Sequence, residues 1–204
     1  QKTGIIIEDG AYKLKDKNIG KEVSPPGLSP LSWTVEYLEN LGLKEKVQIK
    51  APITGPFTLA SYIQTGPGVF PFNTAASNSE LVRQIADIVE KCCREASKHA
   101  AMISIDEPVL GIIVGSRTTL GHREDDIIEM FNRLKEACGN RTVGTHVCGR
   151  ISPRLADLLL RTELDFLSHE FYDTPENFQA YSPRKLEESG KILSVGCLST
   201  KNPR

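Results

Sequence analysis

Residues 142–148 read TVGTHVC, a short run of β-branched and small residues that ends in an imidazole and a thiol. Residues 166–170 read FLSHE, and the stretch between the two runs, Pro153 to Leu160, has the apolar spacing of a helix. This order predicts two neighbouring parallel strands joined by a crossover helix. Both strands then end at one edge of the sheet, where we expect His146, Cys148 and Glu170.

The same alternation of strand and helix extends in both directions from this unit. Three more runs have the composition of buried strands: Val47 to Pro52, Ala101 to Asp106, and Ile192 to Gly196. Four more segments are predicted as helices: Leu31 to Leu41, Glu80 to His99, Asp125 to Ala137, and Pro183 to Ser189. We therefore predict an α/β fold in which five strands run parallel.

The beginning of the chain does not follow this pattern. Gly4 to Val23 mixes apolar residues with Glu, Asp and Lys, so we predict a peripheral hairpin or excursion over residues 1–23. The rest of the 204 residues form one alternating series, and we treat residues 1–204 as a single domain. Five strands do not close an eight-stranded barrel. Either the sheet is open, or this sequence is a piece of something longer.

Composition and charge exclude several classes of function. With 25 basic and 26 acidic residues the net charge is -1, and no basic block suggests binding to nucleic acid or to an anionic membrane. The sequence lacks a long uninterrupted apolar stretch and the order of a secretory signal, so we expect a cytoplasmic protein with a small-molecule substrate. The five cysteines are irregularly spaced, which favours reduced thiols or a metal ligand over disulfides.

A metal site is the chemistry that the strand ends suggest. Residues two apart on an extended segment project to the same side, and neighbouring strands lie ~4.8 Å apart. His146, Cys148 and Glu170 can therefore converge on one ion, and these are ligand types that zinc prefers. Three protein ligands leave a position open for a substrate. The plainer interpretations are an incidental His-x-Cys and a paired structural carboxylate at Glu170.

Other functional groups occur at equivalent positions. Asp106 and Glu107 follow the strand that ends at residue 106, and Cys197 follows the last strand. Each of these residues alone is weak evidence for a functional site, because an Asp-Glu-Pro at a strand end often forms a helix cap or an ion pair. Their repetition at the carboxyl ends of successive strands favours a common functional edge, as in barrels of alternating strands and helices.

At these residues the sequence resembles the catalytic domain of cobalamin-independent methionine synthases. The wider superfamily also holds uroporphyrinogen decarboxylase and corrinoid-dependent methyltransferases. The resemblance covers about residues 24–204. Five segments carry it: TGPFT at 54–58, ISIDEP at 103–108, THVCG at 145–149, LSHE at 167–170, and VGCLSTKNP at 195–203.

The resemblance implies an eight-stranded (β/α)8 TIM barrel, here incomplete at both ends, that binds zinc through His146, Cys148 and Glu170. It also implies that Asp106, with Glu107 beside it, binds the substrate homocysteine. Lys201 stands where many relatives have a histidine proposed to move protons, so we predict a catalytic role for it. The family's fourth ligand is a cysteine on a later strand, and Cys197 aligns with a non-ligand position.

The expected activity is a zinc-dependent transfer of a methyl group to the thiol of homocysteine, which forms methionine. The donor is either methyltetrahydrofolate or a methylated corrinoid protein. Two alternatives stay open: a methylcorrinoid-dependent methyltransferase that acts on another thiol, and a non-catalytic barrel fragment. A decarboxylase fits less well, because that branch of the superfamily uses no zinc.

Overall fold

A computed structural model describes residues 4–16, 19–20, 28–115 and 120–199. The strands in this part of the chain are β1 (Ile5–Glu8), β2 (Ala11–Leu14), β3 (Lys50–Thr54), β4 (Ile63–Gln64), β5 (Met102–Asp106), β6 (Thr142–His146), β7 (Phe166–Glu170) and β8 (Ile192–Gly196). The α-helices are α1 (Ser29–Asn40), α2 (Pro56–Ser61), α3 (Ser79–Ala96), α4 (Leu110–Ile113), α5 (Glu124–Ala137), α6 (Pro153–Leu160), α7 (Asn177–Ala180) and α8 (Pro183–Ser189). Lys201 lies outside the described residues.

Five parallel strands form the main sheet, in the order β3-β5-β6-β7-β8. This confirms the predicted α/β class and the parallel sheet. The predicted barrel is not confirmed, because the sheet of the described residues is open and has β3 and β8 as its edges. The first of the five strands also begins later than residue 47: Val47 is 44% exposed, and the buried side chains of β3 are Ala51 and Ile53.

One face of the sheet packs against the crossover helices. Alternate residues of the central strands, such as Ile103, Val143 and Leu167, have no exposed surface. Full burial of a side chain of this size stabilises the fold by roughly 1.5–3 kcal/mol. The longest of these helices, α3, is capped by the preceding residue, Asn78, whose side chain accepts hydrogen bonds from the backbone N–H groups of Glu80 and Leu81.

The opposite face of the sheet contains one large aromatic side chain. A Cβ atom on Gly144 would lie 2.3 Å from the carbonyl oxygen of Phe166 and 2.4 Å from its ring, so the ring occupies the space above this glycine. The ammonium group of Lys50 lies 5.5 Å from the centre of the same ring, within the range of a cation–π interaction. Glycine at position 144 therefore permits the close packing of β6 against β7.

A smaller sheet has the order β1-β2-β4. β1 and β2 pair antiparallel as a hairpin, with Ile7 opposite Tyr12, and β2 pairs parallel with β4. β4 belongs to the connection between β3 and α3, a segment that leaves β3 at its carboxyl end. The hairpin is thus attached to the connection that follows this strand. None of the helices in the described part of the chain combines the length and apolar character needed to cross a membrane.

Candidate active site

The carboxyl ends of three adjacent strands align. Asp106 on β5 is in register with His146 on β6, and His146 is in register with Ser168 on β7. Residues in register on neighbouring strands project to the same side of a sheet. Glu170, two residues after Ser168, shares that side. The fold therefore brings an imidazole and two carboxylates to one edge, as the sequence predicts.

His146 is in contact with Cys148. The imidazole Nε2 lies 2.9 Å from the Cys148 sulfur, and Nδ1 lies 3.3 Å from the Ser168 hydroxyl oxygen. One of the two tautomers that satisfy both contacts has the proton on Nδ1, so that Nδ1–H donates a hydrogen bond to Ser168 and the thiol donates to Nε2. This tautomer leaves the Nε2 lone pair directed at the sulfur side, which is the form of histidine that binds metals.

The Cys148 thiol is surrounded by negative charge. Its side chain is exposed at the sheet edge, but the partial burial of its sulfur raises the thiol pKa, and the carboxylates of Glu170 and Asp106 raise this pKa further. The same field that disfavours a thiolate favours a cation, because a positive ion between these groups would offset their mutual repulsion. The electrostatics of the edge thus fit cation binding.

Neighbouring hydroxyl groups hold both carboxylates. Ser104 donates a hydrogen bond of 2.7 Å to Asp106, two residues further along β5. Thr174, in the loop after β7, donates to Glu170 Oε1. A carboxylate accepts several hydrogen bonds, so each acid keeps lone pairs for a further partner. These contacts restrict the side-chain rotation of two residues that the sequence singles out.

The structure brings the predicted zinc ligands to one edge without closing a metal site. In the described ranges, no group of three His, Cys, Asp or Glu side chains has the arrangement of a metal site. The Nε2–sulfur distance of 2.9 Å is shorter than the separation of about 3.6 Å that a tetrahedral zinc imposes on such a pair. The donor types and charges fit zinc, and binding would require His146 and Cys148 to separate.

Glu107 has a different environment from its neighbour Asp106. It is fully buried, and its carboxylate accepts hydrogen bonds from the backbone N–H groups of Phe57 and Thr58 and from the Thr58 hydroxyl, at 2.7–2.9 Å. Burial raises the pKa of Glu107 to about 7, against the opposing effect of these hydrogen bonds. Both carboxylate oxygens of Glu107 accept hydrogen bonds from the first turn of α2. Contact of Glu107 with a substrate stays a prediction.

Neither Cys197 nor His169, the histidine of the LSHE motif, takes part in the His146–Cys148 contact. Cys197 is exposed and follows β8, one strand beyond β7. His169 is buried on the opposite side of β7 from Glu170, where its Nδ1 contacts the Val147 carbonyl oxygen at 3.0 Å. Burial lowers the pKa of His169 to about 4, which favours a neutral structural imidazole. Lys201 lies outside the described residues, and its catalytic role stays a prediction.

Sequence reasoning missed the residues that support this edge. Ser168 stands in the quoted LSHE motif, and the alternation of a strand would have placed it beside His146. Ser104 could have been found in the same way, two residues before Asp106. Asn177 offered no such signal: it is a fully buried amide in a polar stretch, and its contacts are with segments up to 28 residues away.

Comparison with known proteins supports the resemblance that the motifs indicated. A protein from Methanocaldococcus jannaschii named methionine synthase is 30% identical over 159 residues, which cover 78% of this chain and 46% of that protein. A protein of the same name from Methanothermobacter thermautotrophicus is 30% identical over 211 residues, which cover 98% of this chain and 60% of that protein. The resemblance to methionine synthases is confirmed, and the chain spans roughly half the length of these relatives.

A solved structure shares the fold. It comes from Listeria monocytogenes, is provisionally named a vitamin-B12 independent methionine synthase, and superimposes with a TM-score of 0.53 at 14% identity. The superposition covers 95% of this chain and 68% of that chain. At this identity the likeness concerns the fold alone. No protein-family model matches the chain.

Proposed function

We propose that this homologue of archaeal methionine synthases provides the zinc site of a methyltransferase that transfers a methyl group to the sulfur of homocysteine. The observation that carries the proposal is the contact of 2.9 Å between His146 and Cys148. It occurs at a sheet edge where partial burial, and then the charges of Glu170 and Asp106, raise the pKa of the Cys148 thiol. A nitrogen, a sulfur and an oxygen donor at one edge match the ligand preference of zinc.

His146, Cys148 and Glu170 would hold the ion. Zinc, when bound, favours the thiolate form of a substrate thiol at neutral pH, which is the nucleophilic form. The Ser168 hydroxyl lies 3.3 Å from Nδ1 of the imidazole, and Thr174 donates a hydrogen bond to the Glu170 carboxylate. The contacts of Ser168 and Thr174 restrict the rotation of the two ligand side chains, so fewer arrangements compete with the one that would bind zinc.

Asp106 would bind the amino group of homocysteine. Its carboxylate is in register with His146 on the adjacent strand and receives a hydrogen bond from Ser104. A charge-assisted hydrogen bond to an ammonium group contributes about 1.5–3 kcal/mol in a partly buried site. Asp106 thus orients the substrate relative to the metal ligands. The methyl donor is methyltetrahydrofolate or a methylated corrinoid, and the assay below separates the two.

The test is methionine formation, measured by mass spectrometry with homocysteine and each methyl donor in turn. We expect methionine from one donor, with a loss of at least about 100-fold in Cys148→Ser and little change in Cys197→Ser. Both thiols are exposed and lie at the same end of the sheet, so the second variant is a matched control. Equal losses in the two variants, or no methionine from either donor, would contradict the proposal.

A further inference from the structure

The loop that carries Cys148 is held by the segment that carries Glu170. Residues 147–151 follow β6 and contain no regular hydrogen-bonded structure. Two buried side chains bind the backbone of this loop on both sides of Cys148. They are His169 and Asn177, one residue before and seven residues after Glu170. The two predicted ligands from different strands are therefore connected through a short path of hydrogen bonds.

Asn177 makes three of these hydrogen bonds. Its Nδ2 donates to the carbonyl oxygens of Gly149 and Glu170, at 2.9 and 2.8 Å. Its Oδ1 accepts from the backbone N–H of Ile151, at 2.8 Å. The side chain is fully buried, so water does not replace these bonds. The Asn177 amide thus binds backbone groups of Gly149 and Ile151, in the loop after Cys148, and of Glu170.

His169 adds a fourth contact to the same loop. Its Nδ1 lies 3.0 Å from the carbonyl oxygen of Val147, the residue before Cys148. The other ring nitrogen lies 2.6 Å from the Tyr181 hydroxyl, and the two rings stack with centres 5.7 Å apart. The imidazole is therefore fixed on both sides. With Asn177 it binds the loop on each side of the cysteine.

We propose that Asn177 is a positioning residue that sets the distance between the Cys148 sulfur and the Glu170 carboxylate. The connection itself stands on the hydrogen bonds alone, and only its purpose, the spacing of two zinc ligands, rests on the proposed function. Contacts outside the ligand set that fix ligand orientation change metal affinity by about 10–100-fold when they are removed. We expect Asn177 to act in this range.

An amide is the side chain that fits this place. Two donated and one accepted hydrogen bond use both N–H groups and the oxygen, in a buried site. Aspartate has nearly the same shape but donates no hydrogen bond when ionised, and would place its charge against the carbonyl oxygens of Gly149 and Glu170. Asn177→Asp should therefore release the loop from Glu170 while it preserves the packing volume.

The experiment compares wild type, Asn177→Asp and a control variant, Asn132→Asp. Asn132 also accepts a backbone hydrogen bond, 2.8 Å from the N–H of Glu163, but it lies on α5 and contacts the residues before β7. The first readout needs no metal: the alkylation rate of Cys148 by iodoacetamide, mapped by peptide mass, with exposed Cys197 as the internal reference. The second is the zinc dissociation constant, with the cobalt(II) absorption spectrum as a report on thiolate ligation.

In Asn177→Asp we expect Cys148 to react at least about threefold faster, because the loop that follows the thiol loses its hydrogen bonds to Asn177 and the sulfur becomes more accessible to the reagent. Cys197 should keep its rate, zinc affinity should fall about 10–100-fold, and Asn132→Asp should match wild type. The milder Asn177→Ser replaces the amide by a shorter, uncharged hydroxyl group and should show the same selective change, which provides the test if Asn177→Asp does not fold.

Two results would overturn the inference: an unchanged Cys148 rate in both Asn177 variants, or an equal acceleration of Cys148 and Cys197, which would indicate general loosening. A wild-type protein that binds neither zinc nor cobalt would contradict the proposed function. A selective change at Cys148 in that protein would still support the connection through Asn177, so the two failures are distinguishable.

Discussion

Replacement of Glu107 by glutamine should remove a measurable pH dependence from the stability of the fold. Burial raises the pKa of this carboxyl from its ordinary value of 4.5 to about 7. Between these two pH values the folded protein keeps a proton that the unfolded chain releases. The stability from this group is therefore fully present below pH 4.5 and is lost as the pH rises through 7.

The size of the effect follows from the shift. Each pKa unit corresponds to about 1.4 kcal/mol, so Glu107 should lower the free energy of unfolding by about 3 kcal/mol between pH 4.5 and 7.5. Glutamine does not titrate. Its amide N–H groups also meet the N–H donors of Phe57 and Thr58, so the variant should be less stable at pH 5 and should lack this slope.

Urea unfolding of wild type and Glu107→Gln, at half-unit intervals from pH 4.5 to 7.5, measures the difference directly. The matched control is Glu36→Gln, which removes an exposed carboxyl on α1 and should retain the wild-type slope. A Glu107→Gln profile parallel to that of wild type would contradict the raised pKa of Glu107. The carboxyl of Glu107 would then be ionised in the folded protein throughout, through its three hydrogen bonds with α2.

Two further predictions concern packing and thiol chemistry. Gly144→Ala should destabilise the fold by at least about 3 kcal/mol, because its Cβ would overlap the Phe166 backbone oxygen, which does not rotate away. Gly111→Ala, whose Cβ would meet its neighbours at 3.6–3.7 Å, should be neutral or stabilising by up to about 1 kcal/mol; equal losses in thermal unfolding would contradict the packing described here. In the native state Ellman's reagent should react quickly with two of the five cysteines, Cys148 and Cys197; rapid reaction of a third would show that a buried thiol is accessible.

Periodicity and turn residues were enough to predict most elements of the main sheet. The strands that end at Asp106, His146 and Glu170 finish where the sequence indicates, and α6 and α8 have the predicted bounds. These elements carry strong local signals: short apolar runs in the strands, and Ser-Pro pairs at the starts of α6 and α8. The aligned strand ends then follow from parallel pairing, because it places every carboxyl end at one edge.

Features that depend on tertiary contacts were not predictable in this way. Barrel closure is decided by pairing between distant strands, and no local pattern reports it. The first main strand starts at Lys50, because pairing and burial favour Ala51 and Ile53 over the exposed Val47. Glu107 was predicted to bind substrate beside Asp106, and this stays a prediction; its hydrogen bonds with α2 could not be derived from the sequence, because they join residues about 50 positions apart.

In the candidate site, too, some positions could be derived from the sequence and others could not. The positions of His146 and Cys148 could be derived from spacing alone, since two residues apart on an extended segment share a side. Asn177 could not be derived, because its three hydrogen bonds join segments that only the folded chain brings together. Sequence patterns thus predict which groups line an edge more readily than what holds them there.

The first measurement to make is the zinc content of the purified, unchelated protein, in wild type, Cys148→Ser and Cys197→Ser. We predict about one zinc per chain in wild type and in Cys197→Ser, and at most about a tenth of that content in Cys148→Ser. Folded wild-type protein without zinc, or equal zinc loss in both variants, would contradict a metal site at His146, Cys148 and Glu170.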